Sequence, residues 1–243
     1  MIIGNVRSIL LDLDGTLLNR DQSLLSFIEN QYDRLFCNYC NDRDALVARF
    51  IELDHRGYVW KDKVYEQLIR EFSLPFTWED LLADYKRSFP AHAAAFPGTI
   101  PMLKKLTEQG YKLGLITNGY TDFQSSNIDA LGFRDYFDVI LISEAEGLRK
   151  PDREIFMRAA RMLQTDPEEC VYIGDHPESD VEASQSAGMI GIWKEDKGYN
   201  EPSQAYGVIR KWSDLTVILE GLRWRGRNEW YEEGNRGRDD VRQ

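Results

Sequence analysis

The spacing of apolar residues changes character twice along the chain, and those changes divide it. Ser8 to Asp14 is a short apolar run with acids at its C-terminal end, closed by Gly15, which predicts a strand buried on both faces. From Leu24 to Phe89 the apolar residues recur at three- and four-residue intervals instead: Leu24, Ile28 and Tyr32, then Leu46, Phe50 and Leu53, then Val64, Leu68 and Phe72, then Leu81, Tyr85 and Phe89. That spacing predicts four helices with no strand between them, whose aromatic stripes form the core of a small bundle.

After Phe96-Pro97-Gly98 helix and strand patterns alternate. The expected order is a helix ending at Gly110, a strand over 112–117, a helix over 123–131 and a strand over 138–143. A helix over 154–163, a strand over 170–175, a helix over 179–187 and a strand over 189–193 follow, with a last strand and helix between Gly207 and Leu222. Repeated strand–helix units predict an α/β fold, a Rossmann-like parallel sheet with helices on both faces, and such sheets bind ligands beyond the carboxyl ends of their strands. The α/β domain is expected over 1–17 and 95–222. The helical segment, 18–94, reads as an insertion that looks like a cap, connected near Leu18 and Ala95, and 223–243 as a frayed tail whose Trp224 and Trp230 could dock on the protein surface.

A formal net charge of −11 repels a phosphate backbone, and no long basic run offers a docking stripe, so nucleic-acid binding is not expected. No stretch of about 18 apolar residues predicts a membrane span, and the N-terminus lacks the zones of a signal peptide; a cytoplasmic protein is expected. Three cysteines close no disulfide set. Cys37 and Cys40 have the spacing of a zinc or redox pair, but too few further ligands accompany them, and buried helical cysteines are the plainer expectation.

Asp12 and Asp14 lie two apart, so on a strand their side chains leave one face and converge at its end. Gly15 permits a sharp turn, and the Thr16 hydroxyl can hold a carboxylate. A second acid pair, Asp175 and Asp180, follows the strand Val171-Tyr172-Ile173. Unit charges about 4 Å apart repel by about 4 kcal/mol at an effective dielectric near 20, so two such pairs at one sheet edge require cations. A hard divalent ion on oxygen ligands fits, and Mg²⁺ is the usual choice when a phosphate completes the shell. Thr117-Asn118-Gly119 and Lys150, each after a strand, add a hydroxyl, amide donors and a positive charge, which a transferring phosphoryl group requires.

Asp12-Leu13-Asp14-Gly15-Thr16-Leu17, Thr117-Asn118-Gly119, Lys150-Pro151-Asp152 and Gly174-Asp175 through Asp180 together resemble the four ordered motifs of the haloacid dehalogenase superfamily. The resemblance extends to Leu222 and departs mildly at Leu11, where many relatives carry Phe. It implies Asp12 as nucleophile and Asp14 as general acid and base, with Thr117, Asn118, Gly119 and Lys150, assisted by Thr16, around the phosphate. Mg²⁺ would sit on Asp12, the Asp14 backbone carbonyl and Asp175, with Asp180 acting directly or through water. The inserted helices resemble the family's first type of cap. The reaction implied is hydrolysis of a small phosphorylated metabolite; a phosphomutase, or a noncatalytic interaction protein that kept the fold, are the alternatives. Asp14 and the acidic fourth motif argue against dehalogenation. His176, inside the fourth motif, reads equally as a site residue or a structural one. So does the stretch Arg56 to Lys61, which breaks the helical pattern and could read the leaving group. The oligomeric state is not legible.

Overall fold

A computed structural model describes residues 6–223. Trp224, Trp230 and the tail expected after Arg223 lie outside the described residues. The chain divides into two compact units, one made of Met1–Leu17, Phe96–Gln124 and Phe133–Gln243, the other of Leu18–Ala95 and Ser125–Gly132.

The first unit is a sheet of six parallel strands: β1 Ser8–Leu11, β2 Lys112–Thr117, β3 Val139–Ile142, β4 Cys170–Gly174, β5 Ile190–Lys194 and β6 Gly207–Ile209. Their order is β3-β2-β1-β4-β5-β6, so the sheet reverses direction of growth between β1 and β4. Leu11 pairs with Leu115 of β2 on one side and Ile173 of β4 on the other, which brings three strand ends level. The continuous apolar runs seen in the sequence belong to these doubly covered strands; β1 is buried at every position. Leu10, Ile116 and Tyr172 pack with Ile155, Phe156 and Ala159 of the helix Arg153–Met162. Asp152 caps that helix by accepting a hydrogen bond from the Glu154 N–H at 2.9 Å.

The strand expected over 8–14 stops at Leu11. Asp12 makes one further ladder bond, its N–H donating to Ile173 O at 2.9 Å, and then Gly15, at φ 75°, turns the chain. Asp12 and Asp14 therefore lie beyond the end of the strand and do not alternate along it. The helix expected over 179–187 is split into a π-helical turn at Pro177–Glu182 and a short helix at Ala183–Ser186.

Within Leu18–Ala95 the second unit holds four α-helices among the described residues: α1 Arg20–Gln31, α2 Arg43–Asp54, α3 Lys61–Phe72 and α4 Trp78–Ser88. Phe27, Phe36, Phe50, Tyr65 and Phe89 are buried in it. Cys37 is exposed and Cys40 half-buried, contrary to the expectation of buried helical cysteines. The π-helical turn Tyr32–Phe36 ends the preceding helix, and Phe36 takes the buried place instead.

Two buried carboxylates organise this bundle. Asp54 accepts two hydrogen bonds from Arg20, at 2.8 and 3.0 Å, and one from Lys61. Asp84 takes both arms of Arg34 at 2.8 and 2.9 Å and the Gln31 amide at 3.0 Å. Burial works against ionisation at both, but Arg20 and Lys61 at Asp54, and Arg34 and Gln31 at Asp84, outweigh it and hold each carboxyl below its usual range. A depressed folded-state pKa adds stability that is present above the unfolded value, about 3.9, and is lost as pH falls through the folded one. Asp54→Ala is expected to cost about 3–5 kcal/mol at pH 7, the usual cost of breaking a buried pair. In thermal unfolding followed by circular dichroism, the gap between wild type and variant should narrow below about pH 4. A gap that stays constant down to pH 2 would show that the ion pairs contribute nothing to stability.

Candidate active site

The carboxyl ends of β1, β2 and β4 meet at one edge of the sheet, and the chemistry-bearing residues gather there. Lys150 is 4% exposed, and its Nζ lies 2.6 Å from Asp12 Oδ1, 2.6 Å from Asp180 Oδ1 and 3.0 Å from the Tyr172 hydroxyl. An isolated ammonium buried this deeply would lose its proton. Here burial is outweighed by Asp12 and Asp180, which raise the pKa of Lys150 and keep it charged.

Asp12, Asp175 and Asp180 each present a carboxylate oxygen within 4.8 Å of the others, all buried. One lysine does not balance the three. Asp12 is pushed up to about 7, mainly by burial, with Lys150 opposing and Asp180 reinforcing the rise. Asp175 is raised well above the carboxylate range by burial and by its two acidic neighbours. The cluster is short of positive charge, and its donor set of carboxylate oxygens suits a hard divalent cation. The backbone leaves room for this crowding: a Cβ on Gly15 would lie 2.4 Å from Asp175 Oδ2, and one on Gly174 would lie 2.3 Å from Asp180 Cγ.

The remaining residues singled out in the sequence hold these groups in place. Asn118 brackets the main chain of Lys150, accepting from its N–H at 2.9 Å and donating to its carbonyl at 3.0 Å, so its side-chain amide is spent on positioning the lysine. The Gly119 N–H donates to Ser143 Oγ at 2.9 Å. The Thr16 hydroxyl points to Asp175 Oδ1 at 3.5 Å. Both oxygens of Asp180 are engaged, Oδ1 with Lys150 and Tyr172 and Oδ2 with the His176 N–H at 3.0 Å. The His176 ring caps the turn that follows, its Nδ1 accepting from Glu178 N and Ser179 N, and it packs on Tyr199. That is a structural role.

The Asp14 carboxylate stands apart from the three-acid group and accepts instead from Gln124 Nε2 at 2.6 Å. Neither Gln124 nor Tyr172 was singled out in the sequence. Tyr172 carries the one hydroxyl in a buried apolar strand, and Gln124 is a polar residue in the first turn of the helix Thr121–Ala130; both signals are visible but common.

A sequence profile described as haloacid dehalogenase-like hydrolase matches residues 9–193, and the chain belongs to that family. Among curated proteins it is 39% identical over 102 residues to glyceraldehyde 3-phosphate phosphatase of Methanopyrus kandleri, a match spanning 42% of this chain and 44% of that protein. It is 29% identical over 225 residues to the enzyme of the same name from Pyrococcus furiosus, spanning 88% of this chain and 93% of the relative. Among solved structures, a haloacid dehalogenase-type phosphatase from Thermococcus onnurineus superposes with a TM-score of 0.65 at 29% identity, over 90% of this chain and 100% of that one.

Proposed function

We propose that this chain hydrolyses a small organic phosphate monoester through an aspartyl-phosphate intermediate. The observation that carries the reading is Asp12, a buried carboxylate at the switch point of the sheet, held by Lys150 beside two further acids. Phosphatases among the similar proteins support it.

Asp12 presents a carboxylate oxygen to phosphorus, while Lys150 and the Thr117 hydroxyl offer charge and a hydrogen bond to the phosphoryl oxygens. Thr16 and Gly119 shape the surrounding turns. Asp14 gives its proton to the departing oxygen and later takes one from the incoming water. Asp12, Asp175 and the Asp14 main-chain carbonyl, with Asp180 directly or through water, would hold Mg²⁺. When bound, the ion supplies positive charge that offsets the acids and the phosphate. The purified chain with Mg²⁺ should release inorganic phosphate from at least one of a panel of triose phosphates, sugar phosphates, nucleoside monophosphates and phosphorylated acids. Transfer to a second sugar with no release to water would identify a mutase instead, and inertness toward the whole panel would defeat the reading.

For the helical unit Leu18–Ala95 we infer the part of a cap that selects the leaving group. His55 ends α2 as a left-handed C-cap at φ 45°, Arg56 continues at φ 58°, and Tyr58 and Trp60 are exposed on the loop that follows. Lys61, by contrast, turns inward to Asp54 and is structural. Arg56→Ala or Trp60→Ala should change relative rates across the panel by more than they change hydrolysis of a simple aryl phosphate. A uniform effect would make this loop structural.

A further inference from the structure

Gln124 lies in the helix Thr121–Ala130 and is only 3% exposed. Its Nε2 is 2.6 Å from Asp14 Oδ2, 2.9 Å from Thr117 Oγ1 and 3.1 Å from the Asn118 carbonyl oxygen. A carbonyl and a carboxylate only accept, so both require an N–H, and this settles which end of the amide faces them. One hydrogen anchors the side chain beside the end of β2; the other holds Asp14. Among the described residues no other hydrogen bond reaches the Asp14 carboxylate. The loop also makes room for this reach, since a Cβ on Gly119 would lie 2.7 Å from Gln124 Cγ.

We propose that Gln124 is the positioning residue of the acid–base step, pinning Oδ2 of Asp14 so that Oδ1 is the oxygen that carries the proton. The inference rests on the role of Asp14 given above. In the first half-reaction an Asp12 oxygen bonds to phosphorus as the bond to the leaving oxygen breaks, and the proton on Asp14 Oδ1 passes to that oxygen. In the second, Oδ1 takes a proton from water as the water oxygen bonds to phosphorus. The phosphorus–Asp12 bond then breaks, releasing phosphate and restoring both carboxyl groups. Gln124 exchanges no proton; it fixes the carboxyl plane in both halves.

Gln124→Met keeps the length of the side chain and removes the donor. Loss of orientation at a reacting group can cost up to about 10²-fold, so kcat for an alkyl phosphate is expected to fall about 10- to 100-fold. In kcat/KM, which covers only the steps through departure of the leaving group, the alkyl phosphate should show the same fall, whereas p-nitrophenyl phosphate, whose leaving group needs little protonation, should stay within about 3-fold. Gln124→Asn, which keeps the amide but draws it back by one methylene, should show the same dependence on leaving group. In an Asp14→Asn background, Gln124→Met should cost nothing further. Equal losses in kcat/KM with both leaving groups, or additive losses in the double variant, would overturn the proposal. If Gln124→Met is too unstable to assay, Gln124→Asn decides alone by the same comparison. A wild type that hydrolyses no ester defeats the proposed function; an active wild type with variants indifferent to the leaving group defeats this inference alone.

Discussion

Asp12→Asn is expected to yield a folded protein that neither releases phosphate nor accumulates an acyl phosphate. The substitution is nearly isosteric, but an amide oxygen is a poor nucleophile, and removing a covalent nucleophile elsewhere has cost on the order of 10⁶-fold. The fold should tolerate it. Asp12 lies in one buried group with Asp175 and Asp180, so neutralising it relieves repulsion, while Lys150 keeps Asp180 as a partner. Asp14→Asn removes a different task and should slow alkyl phosphates by about 10²–10⁴-fold. With acetyl phosphate, an activated donor, that variant should still be phosphorylated on Asp12, and the lost base should leave the intermediate long-lived. Mass spectrometry after borohydride reduction locates the label. Phosphate on any residue other than Asp12, or equal labelling of the Asp12→Asn variant, would show that the nucleophile has been misassigned.

Chelation should abolish turnover, and Mg²⁺ should restore it. Three carboxylates are buried together, Lys150 pairs with only two of them, Asp12 and Asp180, and an incoming phosphate adds further negative charge to the same edge. Binding also has a readout independent of catalysis. An ion that binds only the folded state at 100 times its Kd adds about 2.7 kcal/mol of stability. For a chain of this size that corresponds to a rise in Tm of about 5–10 °C. Asp175→Asn should raise the Tm measured in chelator, because it removes a carboxyl whose ionised form burial and its neighbours disfavour, and it should erase the Mg²⁺-dependent increment. Full activity in excess chelator would contradict the metal assignment, whereas activity loss without any Tm change would place the ion on the substrate.

The parts of this molecule governed by local pattern were legible in the chain. Continuous apolar runs marked the doubly covered strands because a parallel sheet packed on both faces leaves no side of a strand for water. Three- and four-residue spacing marked the helices of the second unit because a helix buries one stripe. Asp12, Thr117 and Asp175 stand at or just past strand ends because a parallel sheet carries every carboxyl end to one edge, whereas Lys150 and Asp180 come from the turns that follow β3 and β4.

Partnerships were another matter. By spacing alone Asp12 and Asp14 look alike, two acids at the end of one strand, yet one joins Lys150 and the other joins Gln124. The sequence marks Lys150 for its charge, but only the sheet places Asp12, Tyr172 and Asp180 around its ammonium. Asn118 offers an amide that the chain alone assigns to phosphate, whereas the fold spends it on the Lys150 backbone. Local periodicity marks the apolar face that each element must bury, because side-chain direction repeats along a helix or strand, but it did not place the end of β1. Which buried polar group satisfies which other depends on distances set between strands far apart in sequence, and only the tertiary structure decides that.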